Sequence, residues 1–202
     1  MTRSPSFVLG YHGCSRETAE RAIAGELTLL WSDTSRDWLG AGVYFWEGDP
    51  LRALEWANWK VRQGSYAEAA VIGAVIDLRH CLDLAARENI VMLESAYESF
   101  IAVQKESGLE IPQNLPASGR PEKDLTQRFL DCAVFRHLHA GLVEAGDPKA
   151  PPYDTVRGIF TEGNRVYPGS GFYNQTHVQI AVRTDECILG VFWPKPYPDV
   201  NQ

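Results

Sequence analysis

Trp38-Leu39-Gly40-Ala41-Gly42-Val43-Tyr44-Phe45-Trp46-Glu47 decides the fold when it is read with Tyr11-His12-Gly13 upstream. Gly40 and Gly42 make a Gly-x-Gly turn, and the aromatic, β-branched run after it is strand-forming. The turn therefore feeds a strand that presents a flat ring at a defined height. Gly13 follows His12 directly and has no Cβ, which lets the backbone lie close to a ligand. Aromatic faces attract flat cationic rings. Either piece alone is a weak signal; together, in this order and near the N-terminus, they form one constellation.

Outward from this stretch, Phe7 to Tyr11 reads as a short strand ending at His12-Gly13. Ser15 caps a helix that stops near Gly25. Asp33 to Asp37 is a polar loop. Asp49-Pro50 is a strong helix start, because Asp caps and Pro at the first helical position loses no needed N–H. Leu51, Leu54, Ala57 and Val61 then recur at helical spacing. Ala70 to Leu78 reads as a central strand, and Asp83 to Lys105 as helical. Ile111 to Pro121 is a loop. Leu125 to Glu144 is helical, with Leu125, Phe129, Cys132/Ala133, Leu138 and Leu142 as inner positions. Tyr153 to Thr161, Val178 to Val182 and Ile188 to Phe192 are strands, and Glu162 to Thr176 is a turn-rich ordered loop. Strands at both ends around a helical middle make the fold class α+β.

The chain has 202 residues, 45% hydrophobic and 22% charged, which fits one globular domain over 1–202. No apolar run reaches membrane length, and Met1 to Ser6 lacks a signal-peptide core, so the expected location is cytoplasmic, with delivery into a target cell without a cleavable signal as the variant. Cys14, Cys81, Cys132 and Cys187 are far apart and make no Cys-x-x-Cys pair, so they read as free thiols rather than a zinc site or a disulfide framework. A net charge of −7 with no Lys/Arg block argues against tight non-specific nucleic-acid binding.

Tyr11-His12-Gly13, then Gly40-Ala41-Gly42-Val43-Tyr44-Phe45, then a helix from Asp49, resembles the diphtheria-toxin and poly(ADP-ribose)-polymerase branch of ADP-ribosyltransferases. Asp37 to Glu47, Val166-Tyr167-Pro168-Gly169-Ser170-Gly171-Phe172 and Thr176-His177-Val178-Gln179-Ile180 look like a group of small bacterial proteins of this kind, associated with toxin–antitoxin and phage-defence loci. The resemblance implies a split mixed sheet with a helical middle region, NAD as co-substrate and no metal. It implies transfer of ADP-ribose to an intracellular macromolecule, a protein side chain or a nucleic-acid base. An antitoxin or immunity protein is the implied partner, with no membrane. His12 would bond the adenosine ribose, the Gly13 backbone the nicotinamide carboxamide, and Tyr44 would stack on the nicotinamide, with Tyr11 and Gly42 completing the cofactor site.

The third element departs from that pattern. The expected strand, Thr176 to Val182, carries no Glu. Gln179 is the first candidate for that position, because it alternates with His177 onto one face. Gln binds ribose hydroxyls but cannot act as a general base. Glu162, in the preceding loop, is the nearest carboxylate for that role, with Glu47 second. The departure favours a single transfer over polymer elongation, and it leaves a binding module without transfer chemistry as the alternative. Arg157, mid-strand, is either ion-paired structure or a pyrophosphate or acceptor contact. Tyr167 and Phe172 flank the loop that in this family reads the acceptor; they either pack the loop or stack on a base or side chain. An NAD-using RNA 2′-phosphotransferase would want Arg157, Arg165 and Arg183 gathered around a phosphate, and ranks lower; an interaction protein without this chemistry would leave the His-Gly and Tyr-Phe pairing a coincidence.

Overall fold

The computed structural model describes residues 7–116 and 125–195. The opening Met1 to Ser6 and the last part of the Ile111 to Pro121 loop lie outside the described residues. In chain order the elements are β1 (Phe7–Ser15), α1 (Arg16–Ile23), β2 (Val43–Glu47), α2 (Pro50–Arg62), β3 (Ala69–Asp77), β4 (Cys81–Asp83), α3 (Arg87–Glu106), β5 (Asn114–Leu115), β6 (Gln127–Arg128), α4 (Phe129–Ala145), β7 (Thr155–Phe160), β8 (His177–Val182) and β9 (Ile188–Phe192). Seven strands make one sheet in the order β4-β7-β8-β2-β1-β3-β9, and β5 pairs with β6 separately. Only β4 and β7 run parallel within the large sheet, so the class is mixed α+β.

Local chemistry places the ends of the early elements. Ser15 accepts from the Thr18 amide and opens α1, and Gly25 takes φ +74 just past its end. Asp49 accepts from the Arg52 amide and opens α2, with Pro50 in its first turn. β1 runs on through His12 and Gly13 to Ser15, because β3 pairs with it along its whole length, from Phe7↔Asp77 to Ser15↔Ala69.

Three sequence expectations are corrected. Asp83 does not begin a helix: Cys81 to Asp83 pairs with Thr155 to Arg157 at the sheet edge, and α3 starts at Arg87. Gln127 and Arg128 pair with Leu115 and Asn114 before α4 begins. In α4, Cys132 is buried and Ala133, Leu138 and Leu142 pack against the cores as expected, but Val134, Phe135 and His139 are buried as well, and Leu125 is exposed ahead of the helix. The reason is that α4 has two partners. Phe135 packs with the sheet residues Val156 and Ala181, while Val134 packs with Ala96 and Phe100 of α3. A helix held on two sides buries a wider arc than one stripe.

The sheet carries a core on each face. α1 covers one, packing Ala19 and Ala22 with Cys14, Phe45, Ile72, Ile76 and Ile180. The other holds Trp38, Leu39, Leu82, Phe135, Val156, Phe160 and Ala181. The four cysteines are free thiols, and burial pushes Cys14 up to about 11 and Cys187 up to about 12. Among the described residues no helix is long and apolar enough to cross a membrane.

Candidate functional site

The sheet has a seam. β2 pairs with β8 at Val43↔Val182 through Trp46↔Gln179, yet with β1 only at Gly10↔Glu47 and Tyr11↔Trp46. The next partners in that register are His12 with Phe45 and Gly13 with Tyr44. There the ladder stops, and the His12 ring bridges the strands, Nδ1–H donating to the Tyr44 carbonyl at 2.8 Å. That bond fixes the tautomer, so Nε2 carries the lone pair, and burial pushes the ring pKa below its ordinary value. The Gly48 amide donates to the Leu9 carbonyl on the β2 side, whereas the Arg16 amide donates to Glu68 on the β3 side. Backbone groups alternate along a strand, so Leu9, Tyr11 and Gly13 all aim theirs toward β2. Past the end of the ladder, the Gly13 N–H and C=O face the opening seam.

Two cofactor-site expectations need correction. The space left by the missing Cβ of Gly13 is filled by α2: an ideal Cβ there lies 2.2 Å from the Ala53 carbonyl oxygen and 3.3 Å from the Ala57 Cβ. What Gly13 offers a ligand is its backbone edge. The Tyr44 and His12 rings lie on opposite faces of the sheet, so the implied pairing of the two on one dinucleotide, His12 on the adenosine ribose and Tyr44 on the nicotinamide, does not hold. Cross-strand partners share a face, and His12 lies on the Phe45 face, its ring centroid 5.7 Å from that of Phe45. Tyr44 lies on the other face, packed against the Trp38 cluster, with its hydroxyl donating to the Gly40 carbonyl (2.8 Å) and accepting from the Leu39 amide (2.9 Å). Burial raises its phenol well above the ordinary value. Gly42 serves the sheet, since a Cβ there would meet the Val182 carbonyl oxygen at 2.7 Å. Tyr11 sits at the paired end of the seam, edge-on to Phe192.

Gln179 and His177 do share a face, as their alternation predicts, and that face also holds Trp38, Trp46 and Phe160. The Trp38 indole N–H donates to Gln179 Oε1 at 2.6 Å. His177 is 6% exposed and stacks on Phe160, centroids 5.3 Å apart and planes at 20°. Its Nδ1–H donates to the Gln175 carbonyl at 2.7 Å, which leaves Nε2 as a lone-pair acceptor, buried and without a partner. Burial pushes this ring too below its ordinary pKa. The Trp46 indole N–H beside it is likewise buried and unpartnered, with ring centroids 6.2 Å apart.

The two candidate carboxylates separate. Glu162 lies just past β7, near His177, with Oε2 held by Arg52 Nη2 at 2.9 Å. Glu47 lies on the face opposite Gln179, gripped by Arg157 at Nε (2.5 Å) and Nη2 (3.1 Å). Arg157 also holds Asp83 through Nη1 at 3.1 Å. These bonds, Glu47 first, raise its pKa above the ordinary value. Of its two sequence readings, Arg157 takes the ion-paired structural one. The three arginines of the phosphotransferase reading are spread apart: Arg165 binds the Ser170 carbonyl within its own loop, and Arg183 binds the Ala41 carbonyl.

The 162–176 loop is ordered by its own bonds, including Val166 N–H to Phe172 O at 3.1 Å and Phe172 N–H to Ser170 Oγ at 2.9 Å. Tyr167 and Phe172 are 57% and 73% exposed, so they face outward rather than packing the loop. Sequence reasoning missed Arg128, whose guanidinium lies 4.9 Å from the Trp38 ring centroid and 4.7 Å from that of Phe160. It also missed Arg52 and His139. Trp38, directly before Leu39-Gly40, was visible in the motif without a role. Among the described residues no group of three or more His, Cys, Asp or Glu side chains gathers as a metal site would. Comparison with models of known families, with curated proteins and with solved structures finds no match for this chain.

Proposed function

We propose that the chain is an NAD-dependent mono-ADP-ribosyltransferase toxin that moves ADP-ribose onto an intracellular macromolecule, with an antitoxin or immunity protein as its partner. The observation that carries this reading is the seam. A carboxamide needs one acceptor and one donor side by side, and the Gly13 N–H and C=O, buried beyond the last β1–β2 partners, are oriented to offer that pair. His12 Nε2, a lone-pair acceptor at the same seam, suits a ribose hydroxyl. NAD supplies the ADP-ribose, its positively charged nicotinamide leaving as a neutral ring. The protein must hold the dinucleotide bent and orient the ribose, and Gln179, fixed by Trp38, is suited to that. Glu162, beside His177 and paired with Arg52, is the carboxylate assigned to orient an acceptor; Glu47 lies on the face opposite Gln179, paired with Arg157.

A second reading is a module that binds NAD or ADP-ribose without transfer. It is favoured by the carboxamide of Gln179 where the family pattern has a carboxylate, and by the ion pairs on both Glu47 and Glu162. Calorimetry with NAD and measurement of nicotinamide release by the purified chain separate the two. The transferase reading expects binding and release, and weaker binding of the nicotinic acid dinucleotide, whose carboxylate has no donor for the Gly13 carbonyl. Binding without release selects the module. Absence of NAD binding overturns both.

A further inference from the structure

We infer that Trp38 and Phe160 form a seat for a guanidinium, that the ADP-ribose acceptor is an arginine side chain of a target protein, and that Arg128 occupies this seat in the free protein. The naming of the acceptor rests on the transferase reading; the seat itself does not.

The ligand class is visible in the occupant. The Arg128 guanidinium lies within 5 Å of two aromatic centroids, 4.9 Å from Trp38 and 4.7 Å from Phe160. A planar delocalised cation suits such a platform, and Arg fits it better than a compact, strongly hydrated ammonium. Arg128 fills the seat incompletely. Nη1 pairs with Asp131 at 3.0 Å, but Nε is buried with no acceptor. Arg128 stands at the start of α4, one turn from Asp131, whose other oxygen accepts from Asn114 Nδ2 at 2.8 Å.

The seat adjoins the residues assigned to transfer. Trp38 holds Gln179 through its indole N–H, and Phe160 stacks on His177. His177 presents an unpartnered Nε2 lone pair, because Nδ1–H is committed to the Gln175 carbonyl. An incoming arginine would thus find a cation platform beside the residue that orients the ribose, while His177 Nε2 stays buried against Phe160. In the transfer, the bond from the ribose C1′ to the nicotinamide nitrogen breaks and its electron pair stays with the ring. A guanidinium Nη bonds to C1′, and the proton it sheds passes to water. Carboxylate acceptors are disfavoured by the ring faces, and a lysine amine gains less from them.

The test uses the full chain and agmatine, a free guanidinium on an alkyl stem, read by tryptophan fluorescence and by labelled ADP-ribose on agmatine. Arg128→Gln empties the seat and should tighten agmatine binding about fivefold, the scale of one aromatic contact to a cation. It should raise the yield of ADP-ribosyl-agmatine accordingly. Arg128→Lys keeps the Asp131 pair and gives the same direction if the Gln variant folds poorly. Butylamine, an ammonium on a similar stem, should show a smaller change. Unchanged or weaker agmatine binding in both variants overturns the seat, as does equal tightening of butylamine. NAD hydrolysis with no agmatine product overturns the arginine acceptor and leaves the transferase reading standing. Tightened agmatine binding with no NAD turnover sustains the seat and sinks the transferase reading.

Discussion

Gly13 answers two demands at one position. Its Cα must pass under α2, and its amide and carbonyl must lie on the strand edge that β2 abandons. The first demand is testable by itself. A methyl at Gly13 would sit 2.2 Å from the Ala53 carbonyl oxygen and 3.1 Å from the carbonyl carbon, and backbone cannot give way as a flexible side chain can. Gly13→Ala should therefore lower stability by about 2 kcal/mol or more, read as a fall in the urea midpoint with an unchanged slope. A midpoint equal to wild type would show that α2 is free to lift. His12 and His177 repeat one device: each gives Nδ1–H to a backbone carbonyl and keeps Nε2 as an acceptor. The residue types at this site were legible in the sequence, but their surroundings were not. Tyr44 reads as a stacking ring because its neighbours in sequence are a turn and a strand. Its hydroxyl is instead spent on Leu39 and Gly40, a use that depends on how the turn folds back. The Trp38–Gln179 bond joins residues 141 positions apart, and no local pattern announces it.

Among the elements, those set by local chemistry were readable and those set by distant pairing were not. α2 announces itself through Asp49 and Pro50, and β9 through the apolar run Ile188 to Phe192. β4 is three residues long and has strand geometry because β7, 74 residues on, pairs with it. The sequence reads as helical from Asp83, yet the helix starts only at Arg87, after Ala86, which has no capping side chain. The work of Asp83 is to hold Arg157. That arginine ties β4, β7 and β2 together through Asp83 and Glu47, with all three side chains partly buried. Arg157→Met should leave two carboxylates facing each other and lower stability by about 1–2 kcal/mol, since the Arg157 side chain is 21% exposed and only partly screened. A double-mutant cycle with Glu47→Gln should return a coupling of the same sign. Additive effects would mean that the pair contributes nothing to holding the edge.

For the whole molecule, the buried histidines set the response to acid. His139, 4% exposed on α4, has both ring nitrogens without partners, and burial pushes its pKa down to about 3. Unfolded, it takes up a proton below its ordinary value of 6.5; folded, it resists until the pH nears 3. Between those values the unfolded chain binds more protons, so stability drops as the pH falls, by up to about 1.4 kcal/mol per pH unit from this one group. His12 and His177 are shifted in the same direction and add to the effect. Urea unfolding at about pH 7 and about pH 4.5 should show this loss, and His139→Leu should shrink it. An equal loss in the variant would assign the acid response to other groups.

The seam between β1 and β2 has one more consequence, which comes from the path of the chain. The half-sheet β4-β7-β8-β2 meets the half-sheet β1-β3-β9 through two pairs of strand partners. Yet the backbone passes between the halves from β1 to β2, from β2 to β3, from β3 to β4 and from β8 to β9. Four threads lace a joint that few hydrogen bonds hold. One core also spans it, with Phe45 and Ile180 of one half against Ile72 and Ile76 of the other, so neither half can be cut out or traded with a second copy without severing several threads.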